Sequence, residues 1–253
     1  MDARTLSDGV TGAWQQIVGV DELLDAVERD DMAAARTLAL HPSVRAALES
    51  DSQIRMEVLS CMAVSGSPEL EEEAISIIQC EPGLVRTRFG GGQTLLHRAA
   101  AAWSVSFAER LLALGADPDA RDIAGHPPLY HAGNRFPRPT GLPEGVEQAF
   151  VAAFHKYSAD MDLAEGVKLS TPLHMAARRG HAGLAAALAA YGADMEARDR
   201  NGETPLRRAV NCGQPAVVRV LLSLGADARS LCKRGRTPRD AARSVEMQRL
   251  FDG

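Results

Sequence analysis

Apolar side chains recur at helical spacing in short stretches of this chain. The spacing predicts helices over 21–29 and 32–40, and a further pair of helices within 54–85. The second helix ends at His41-Pro42, because the residue before a proline is disfavoured in helical backbone. Helices this short cannot bury an apolar stripe alone, so we expect neighbouring pairs to stack on one another.

A fixed period runs through the second half of the chain. Residues 171–174 read Thr-Pro-Leu-His, Thr-Pro-Leu returns at Thr204 and Thr-Pro returns at Thr237, an interval of 33 residues each time. A constant period of this length indicates a repeat array. The threonine of each motif can cap a helix whose first residue is the following proline. Gly180 and Gly192 then stand where glycine ends a helix without Cβ strain.

The motif Gly-x-Thr-Pro-Leu-His-x-Ala-Ala, followed by Gly-Ala-Asp, resembles the ankyrin repeat family. The resemblance implies an all-α solenoid of stacked helix-turn-helix units with β-hairpin-like loops. It implies about six repeats when the degenerate caps are included. The clear repeats begin at Thr94, Pro127, Thr171 and Thr204, and a shortened one begins at Thr237.

This pattern divides the chain into segments. We expect a loose N-terminus over 1–18, degenerate N-terminal repeats over 19–90 and clear repeats over 91–253, of which 235–253 form a short C-terminal cap. The second and third clear repeats are 44 residues apart, an excess of 11 over the regular period. Most of the excess falls in a Pro-rich insertion at 133–145, whose prolines and glycines predict a loop.

Two large residues replace glycines of the motif. Leu169 stands before Thr171, and Trp103 stands where a glycine should end the first helix of the first clear repeat. Trp103 is either an exposed anchor for a partner or a side chain that packs over the irregular second repeat. We expect the packed arrangement.

Charge is unevenly distributed although the net charge is only −5. Residues 1–90 carry 7 Arg against 16 Asp and Glu, a balance of −9, which leaves +4 for the remainder. Aromatic residues make up 4% of the chain, which suits thin helical layers better than a thick core built around large rings.

The four cysteines form no CxxC pair, so neither a disulfide framework nor a zinc site of that kind is predicted. We therefore expect a reducing, cytoplasmic location. No basic, apolar leader opens the sequence, although export into a host cell without a cleavable signal stays open.

Lysine is scarce, with 3 Lys among 28 basic residues. Either a GC-rich genome or the selection against ubiquitination expected of a bacterial effector explains this scarcity.

No catalytic, cofactor-binding or metal site is predicted. His97 and His174 occupy the motif histidine, whose role in the family is to hydrogen-bond backbone and tie adjacent turns. His126, His131 and His155 lie outside the motif, without a Glu or Cys at the spacing of an HExxH site. Phosphate-binding and nucleophile-elbow motifs are absent from the sequence, so we expect no enzyme activity.

The resemblance implies that a partner binds the concave surface formed by the hairpin tips and the first helices of the repeats. Eight of the residues at these positions are basic and one is acidic. The full set is Gln93, Ile123, His126, Asn134, Arg135, Phe136, Val167, Lys168, Ser170, Arg178, Arg179, Arg200, Asn201, Glu203, Asn211, Lys233, Arg234 and Arg236.

Two functions fit this surface. The first is a non-enzymatic scaffold, monomeric by itself, that binds a protein with an acidic surface as an adaptor, inhibitor, immunity protein or effector. The second is an anion-binding module for nucleic acid or acidic lipid headgroups, whose affinity falls steeply with salt. The near-absence of aromatic residues at these positions argues against single-stranded nucleic acid as the ligand.

Overall fold

Short α-helices make up most of the chain described by the computed structural model, which covers residues 22, 55–56, 58–60, 62, 68–134 and 143–252. The chain divides into two units, Met1–Leu84 and Val85–Gly253. The predictions for 1–18 and for the helices over 21–29 and 32–40 lie outside the described residues, apart from the helical Glu22. So do the predicted contacts of Arg135 and Phe136.

In the first unit, α1 spans Pro68–Cys80 and confirms the second helix predicted within 54–85. Its apolar face is buried through Leu70, Ala74, Ile75 and Ile78. The carboxylates of Glu69 and Glu71 lie in the first turn, where the positive end of the helix dipole favours them. A 3-10 helix, Pro82–Arg86, follows.

The second unit contains four consecutive helix pairs and a short cap. The α-helices are α2 (Leu95–Ala102), α3 (Val105–Ala113), α4 (Pro128–Asn134), α5 (Val146–Lys156), α6 (Pro172–Arg179), α7 (Ala182–Ala190), α8 (Pro205–Asn211), α9 (Pro215–Ser223) and α10 (Val245–Arg249). A 3-10 helix, Arg239–Ala241, precedes α10.

The helix starts follow the predicted capping. Thr171 Oγ1 accepts a hydrogen bond from the His174 N–H at 3.4 Å, and Thr204 Oγ1 accepts one from the Arg207 N–H at 3.3 Å. The proline after each threonine is the first helical residue. These contacts confirm that the Thr-Pro pair begins the first helices of the third and fourth repeats, since the proline leaves no N–H unpaired there.

The pairs stack as two rows within 85–253. The first helices α2, α4, α6 and α8 each pack against the next, and the second helices α3, α5, α7 and α9 do the same. Leu173, Ala176 and Ala177 of α6 are fully buried, as predicted for residues that face neighbouring helices. Small side chains at this contact let the layers approach closely.

Both of the large residues that replace motif glycines adopt the left-handed backbone conformation that glycine favours. Trp103 ends α2 in the left-handed conformation, at φ 61°, where the third repeat has Gly180 at φ 83°. The Trp103 side chain is only 2% exposed, and its ring lies 5.8 Å from Phe150 and 5.9 Å from His181. The packed alternative for Trp103 is therefore confirmed. Leu169 is also left-handed, at φ 55°.

The insertion begins later than predicted. Gly133 and Asn134 belong to α4, and Gly133 is buried. A Cβ added at Gly133 would lie 3.1 Å from the Ala176 backbone nitrogen. This glycine is therefore part of the helix packing rather than of the loop, and the prediction that the loop starts at 133 was wrong. Residues 135–142 lie outside the described part of the chain.

The cap repeat is short, as predicted. Asp240 stands in the motif's histidine position and accepts the Thr237 N–H at 2.7 Å, while the Asp240 N–H donates to Thr237 Oγ1 at 3.3 Å. Only a 3-10 turn and the five residues of α10 follow this reciprocal cap. No helix among the described residues is long and apolar enough to cross a membrane.

Candidate interaction surface

The hairpin tips between repeats lie side by side through backbone hydrogen bonds. The Ile123 N–H donates to the Gly91 carbonyl at 2.9 Å, and the Arg200 N–H donates to the Lys168 carbonyl at 2.8 Å. The Lys233 N–H likewise donates to the Asn201 carbonyl, at 3.2 Å. These bonds join the first tip to the second, the third tip to the fourth, and the fourth tip to that of the cap. The second and third tips lie against each other without such a bond, since a Cβ added at Gly125 would be 3.1 Å from the Gly166 backbone nitrogen. The tips therefore form one row.

A buried aspartate builds the fourth tip. Asp199 Oδ1 accepts from the Asn201 N–H at 2.8 Å and from the Glu203 N–H at 3.0 Å. The Gly202 N–H donates to the Asp199 carbonyl at 2.8 Å, with Gly202 at φ 69°. The tight turn predicted over 199–202 is confirmed, and it leaves the side chains of Arg200 and Asn201 exposed.

Arginines tie successive hairpins together, a feature that sequence reasoning missed. Arg121 donates to the Gly125 carbonyl of its own hairpin at 2.9 Å and to the Ala164 carbonyl beyond it at 2.8 Å. Arg88 and Arg198 repeat this arrangement toward the carbonyls of Gly92 and Arg121, and of Gly202 and Leu231, respectively. The available signal was an arginine four residues before the tip glycines Gly92, Gly125 and Gly202.

The third tip is built differently. Glu165 replaces the arginine, is buried, and accepts hydrogen bonds from the backbone N–H groups of Val167 and Lys168. Leu169 takes the left-handed position that Gly202 holds in the fourth tip. The carboxylate thus supplies the acceptors for a turn that lacks the usual glycine.

Large apolar side chains project from this row. Ile123 is 84% exposed and Val167 is 58% exposed. Among the described residues, six large apolar side chains are exposed, and Ile123, Val167, Leu169 and Leu231 of that group lie in the hairpins. Exposed basic side chains accompany them: Lys168, Arg178, Arg200, Lys233, Arg234 and Arg236.

Several predicted contact residues are engaged inside the protein. Arg179 is half-buried and donates to Asn134 Oδ1 at 2.9 Å. Glu203 accepts from Asn211 Nδ2 at 2.9 Å and lies 3.4 Å from the Arg208 guanidinium. Gln93 and His126 are half-buried. The exposed positions are therefore fewer than the predicted set.

One predicted surface residue needs correction. Ser170 is 4% exposed, and its carbonyl accepts a hydrogen bond from the Glu165 N–H at 3.0 Å. The Glu165–Ser170 backbone bond closes the hairpin here, so Ser170 lies at the base of the turn rather than on its exposed tip.

The motif histidines join adjacent repeats, as the resemblance implies. His174 Nδ1 accepts the Thr171 N–H at 3.2 Å, and Nε2 donates to the Glu203 carbonyl at 2.9 Å. His97 makes the same pair of bonds, to the Thr94 N–H at 3.1 Å and the His126 carbonyl at 3.1 Å. Burial lowers the pKa of His174, and burial together with the nearby His131 lowers the pKa of His97 to about 4.

A second polar cluster lies beneath the second tip. Asp122 Oδ2 is 2.9 Å from His131 Nε2 and 3.4 Å from His126 Nδ1. Although burial opposes ionisation, hydrogen bonds from the His126 N–H and from His131 hold the pKa of Asp122 below its usual value. Burial lowers the pKa of His131. Sequence reasoning noted both histidines but missed Asp122, which precedes them in an Asp-x3-His-x4-His pattern.

Family comparisons agree with this architecture. A model of three ankyrin repeats matches residues 144–231, and a model of a single ankyrin repeat matches residues 91–123. The chain contains ankyrin repeats. The matched stretches include the third, fourth and first tips, whereas the irregular segment between the two matches holds the insertion. Ankyrin repeats generally serve as protein–protein interaction modules and are typically non-catalytic.

Proposed function

We propose that this ankyrin-repeat protein is a non-enzymatic scaffold that binds a protein partner through the row of hairpin tips. The observation that carries the proposal is the projection of Ile123 and Val167 from adjacent tips into solvent. Burying one such side chain at an interface is worth roughly 1.5–3 kcal/mol. Apolar side chains grouped within a polar rim are typical of protein interaction sites.

The charges around the tips favour a partner with an acidic surface. Lys168, Arg200 and Lys233 are exposed on three successive tips, and Arg234 follows on the last one. The acidic residue of the predicted set, Glu203, is half-buried and paired with Arg208. Complementary charge speeds association and sets the register of docking.

The tips need little ordering before they bind. The Arg121 side chain joins the second hairpin to the third, and backbone hydrogen bonds join the other neighbouring tips. Arg88 and Arg198 add the same kind of side-chain bond between their own hairpins and the next. A surface that is already rigid loses little conformational entropy on association. Adaptors, inhibitors, immunity proteins and effectors of cytoplasmic targets all use surfaces of this kind. We infer that the chain binds its partner as a monomer.

Affinity capture with matched variants tests the proposal. We expect the wild-type chain, treated with nuclease, to retain one stoichiometric protein. The double variant I123S/V167S should lose that protein, while L224S, which changes an exposed leucine at the end of α9, should keep it. Equal retention by all three chains would reject the tip surface.

A salt series separates the anion-binding alternative. Binding to nucleic acid or to acidic vesicles would fall steeply with salt and would survive the loss of the two apolar side chains. Binding of a protein through the tips should instead depend strongly on Ile123 and Val167 and only moderately on salt concentration. Capture that disappears after nuclease treatment would favour nucleic acid.

A further inference from the structure

We propose that Asp122, His126 and His131 form a binding site for a divalent transition-metal ion of the zinc class. The site lies beneath the second hairpin tip and goes beyond the proposed protein-binding role, on which it does not depend. It replaces the sequence-based expectation that no metal is bound. Among the described residues, these three form the one group of metal-ligating side chains whose donor atoms all lie within 4.8 Å of one another.

The donor spacing fits a small tetrahedral ion. Zinc bonds to nitrogen and oxygen of roughly 2.0–2.2 Å place neighbouring ligand atoms about 3.3–3.5 Å apart in a tetrahedron. Asp122 Oδ2 and His126 Nδ1 are already 3.4 Å apart. Asp122 Oδ2 and His131 Nε2, at 2.9 Å, need to separate only slightly to admit the ion.

The ligands are held in place by contacts that leave these donor atoms facing one another. Asp122 Oδ1 accepts the His126 N–H at 2.8 Å, which fixes the carboxylate and leaves Oδ2 for the metal. The His126 ring stacks on Tyr130 at 4.3 Å, and the His97 ring packs edge-on against His131 at 5.4 Å. His97 is not a ligand, because both of its ring nitrogens are hydrogen-bonded.

The fold does not require this combination of side chains. In the fourth repeat, Asp199 holds the corresponding position three residues before the tip glycine, and its carboxylate pairs with Arg208 rather than with a histidine. Glu203 stands there in the place of His126. The same hairpin therefore forms with an arginine–carboxylate pair, whereas the second repeat brings two imidazoles to the aspartate.

The donor set indicates the class of ion. Two imidazole nitrogens and one carboxylate oxygen suit zinc and its transition-metal neighbours, whereas Ca²⁺ and Mg²⁺ prefer oxygen ligands. The His126 side chain is 24% exposed and Asp122 is 5% exposed, so an ion would be reached from the solvent side. Three protein ligands would leave a position for water.

Isothermal titration of the chelator-treated full chain with Zn²⁺ tests the site. The wild-type chain should bind one Zn²⁺, and Co²⁺ in its place should give the visible absorption of a nitrogen- and oxygen-ligated ion. H131R copies the Asp–Arg pair of the fourth repeat, but its guanidinium cannot ligate a cation. We expect H131R and H126Q each to weaken Zn²⁺ binding by at least about tenfold.

The matched control is H155Q, which removes an exposed histidine on α5. H155Q should bind Zn²⁺ like the wild-type chain, and circular dichroism should show all variants folded. Zn²⁺ should also raise the melting temperature of the wild-type and H155Q chains but not of H131R. A wild-type chain that binds no Zn²⁺ stoichiometrically, or a folded H131R with unchanged affinity, would overturn the proposal.

Discussion

At the scale of single residues, the side chains of the repeat motif make contacts within the array. His174 shows this most clearly, because one nitrogen accepts from the turn that begins its own helix and the other donates to the next repeat. This pattern of one donor and one acceptor requires a neutral imidazole. The side chain is 1% exposed, so solvent cannot compensate for a lost bond.

This neutrality makes stability depend on pH. Burial lowers the pKa of His174 in the folded chain, while the unfolded chain keeps the ordinary value. As pH falls from about 7 to about 5, the unfolded state takes up a proton that the folded state does not, so the free energy of unfolding decreases. In urea titrations, H174Q should be less stable at neutral pH by about 1–2 kcal/mol and should lose less stability across this pH range.

An equal pH slope in H174Q and the wild-type chain would contradict this account. His97 makes the same bonds as His174, so the slope in H174Q should decrease without vanishing. The double variant H97Q/H174Q provides the comparison and should have the shallowest slope.

At the scale of helices, the distance between layers depends on small residues. Gly133 in α4 faces α6, and a Cβ there would lie 3.1 Å from the Ala176 nitrogen and 3.2 Å from the Pro172 carbonyl oxygen. Both are backbone atoms of a packed helix and cannot move independently. Glycine is retained inside this helix because the neighbouring backbone occupies the space of a side chain.

G133A should therefore destabilise the protein although alanine is the better helix former. The gain in helix propensity is about 1 kcal/mol, whereas forcing an extra methyl group into a packed contact costs about 1–3 kcal/mol. We expect a net loss of about 1–2 kcal/mol by urea denaturation. The control is G83A, where an added Cβ would meet no atom within 4 Å beyond its chain neighbours, so stability should stay level or rise slightly. A G133A chain as stable as the wild-type chain would show that α4 and α6 can separate.

The helices were largely predictable from the sequence because their signals are local. The threonine caps, the helix-ending glycines and the 33-residue period each act within one repeat. The arginine ties of Arg121 and Arg198 and the packing of Gly133 depend on where the chain returns in space. The pairing of Asp122 with His131 is nine residues long, but it depends on how the hairpin is oriented relative to α4. Ser170 was misplaced because its burial depends on the backbone bond from Glu165 that closes the hairpin at this residue.

At the scale of the whole molecule, the repeats of 85–253 are joined by side-chain bonds at a common sequence distance. His97 reaches the carbonyl of His126, and His174 reaches the carbonyl of Glu203, in each case 29 residues ahead. Arg207 reaches the carbonyl of Arg236 over the same distance. The second repeat has Tyr130 in this position, and Arg121 joins it to the third repeat instead.

Stability should therefore be lost locally when one junction is broken. Arg207 is 3% exposed and donates to the carbonyls of Arg236 and Thr237, so it fastens the cap to the fourth repeat. R207M keeps the apolar stem but removes the Arg207 donor to the Thr237 carbonyl and one of the two donors to the Arg236 carbonyl, which also accepts the Cys232 N–H, and should cost about 1–3 kcal/mol. Because the array is linear, hydrogen exchange should speed up in α8, α9 and α10 and stay unchanged in α2 and α3.

The control is R200A, which removes an exposed tip arginine and should leave hydrogen exchange unaltered throughout. Faster exchange spread evenly from α2 to α10 in R207M would mean that the repeats unfold as one cooperative block rather than junction by junction.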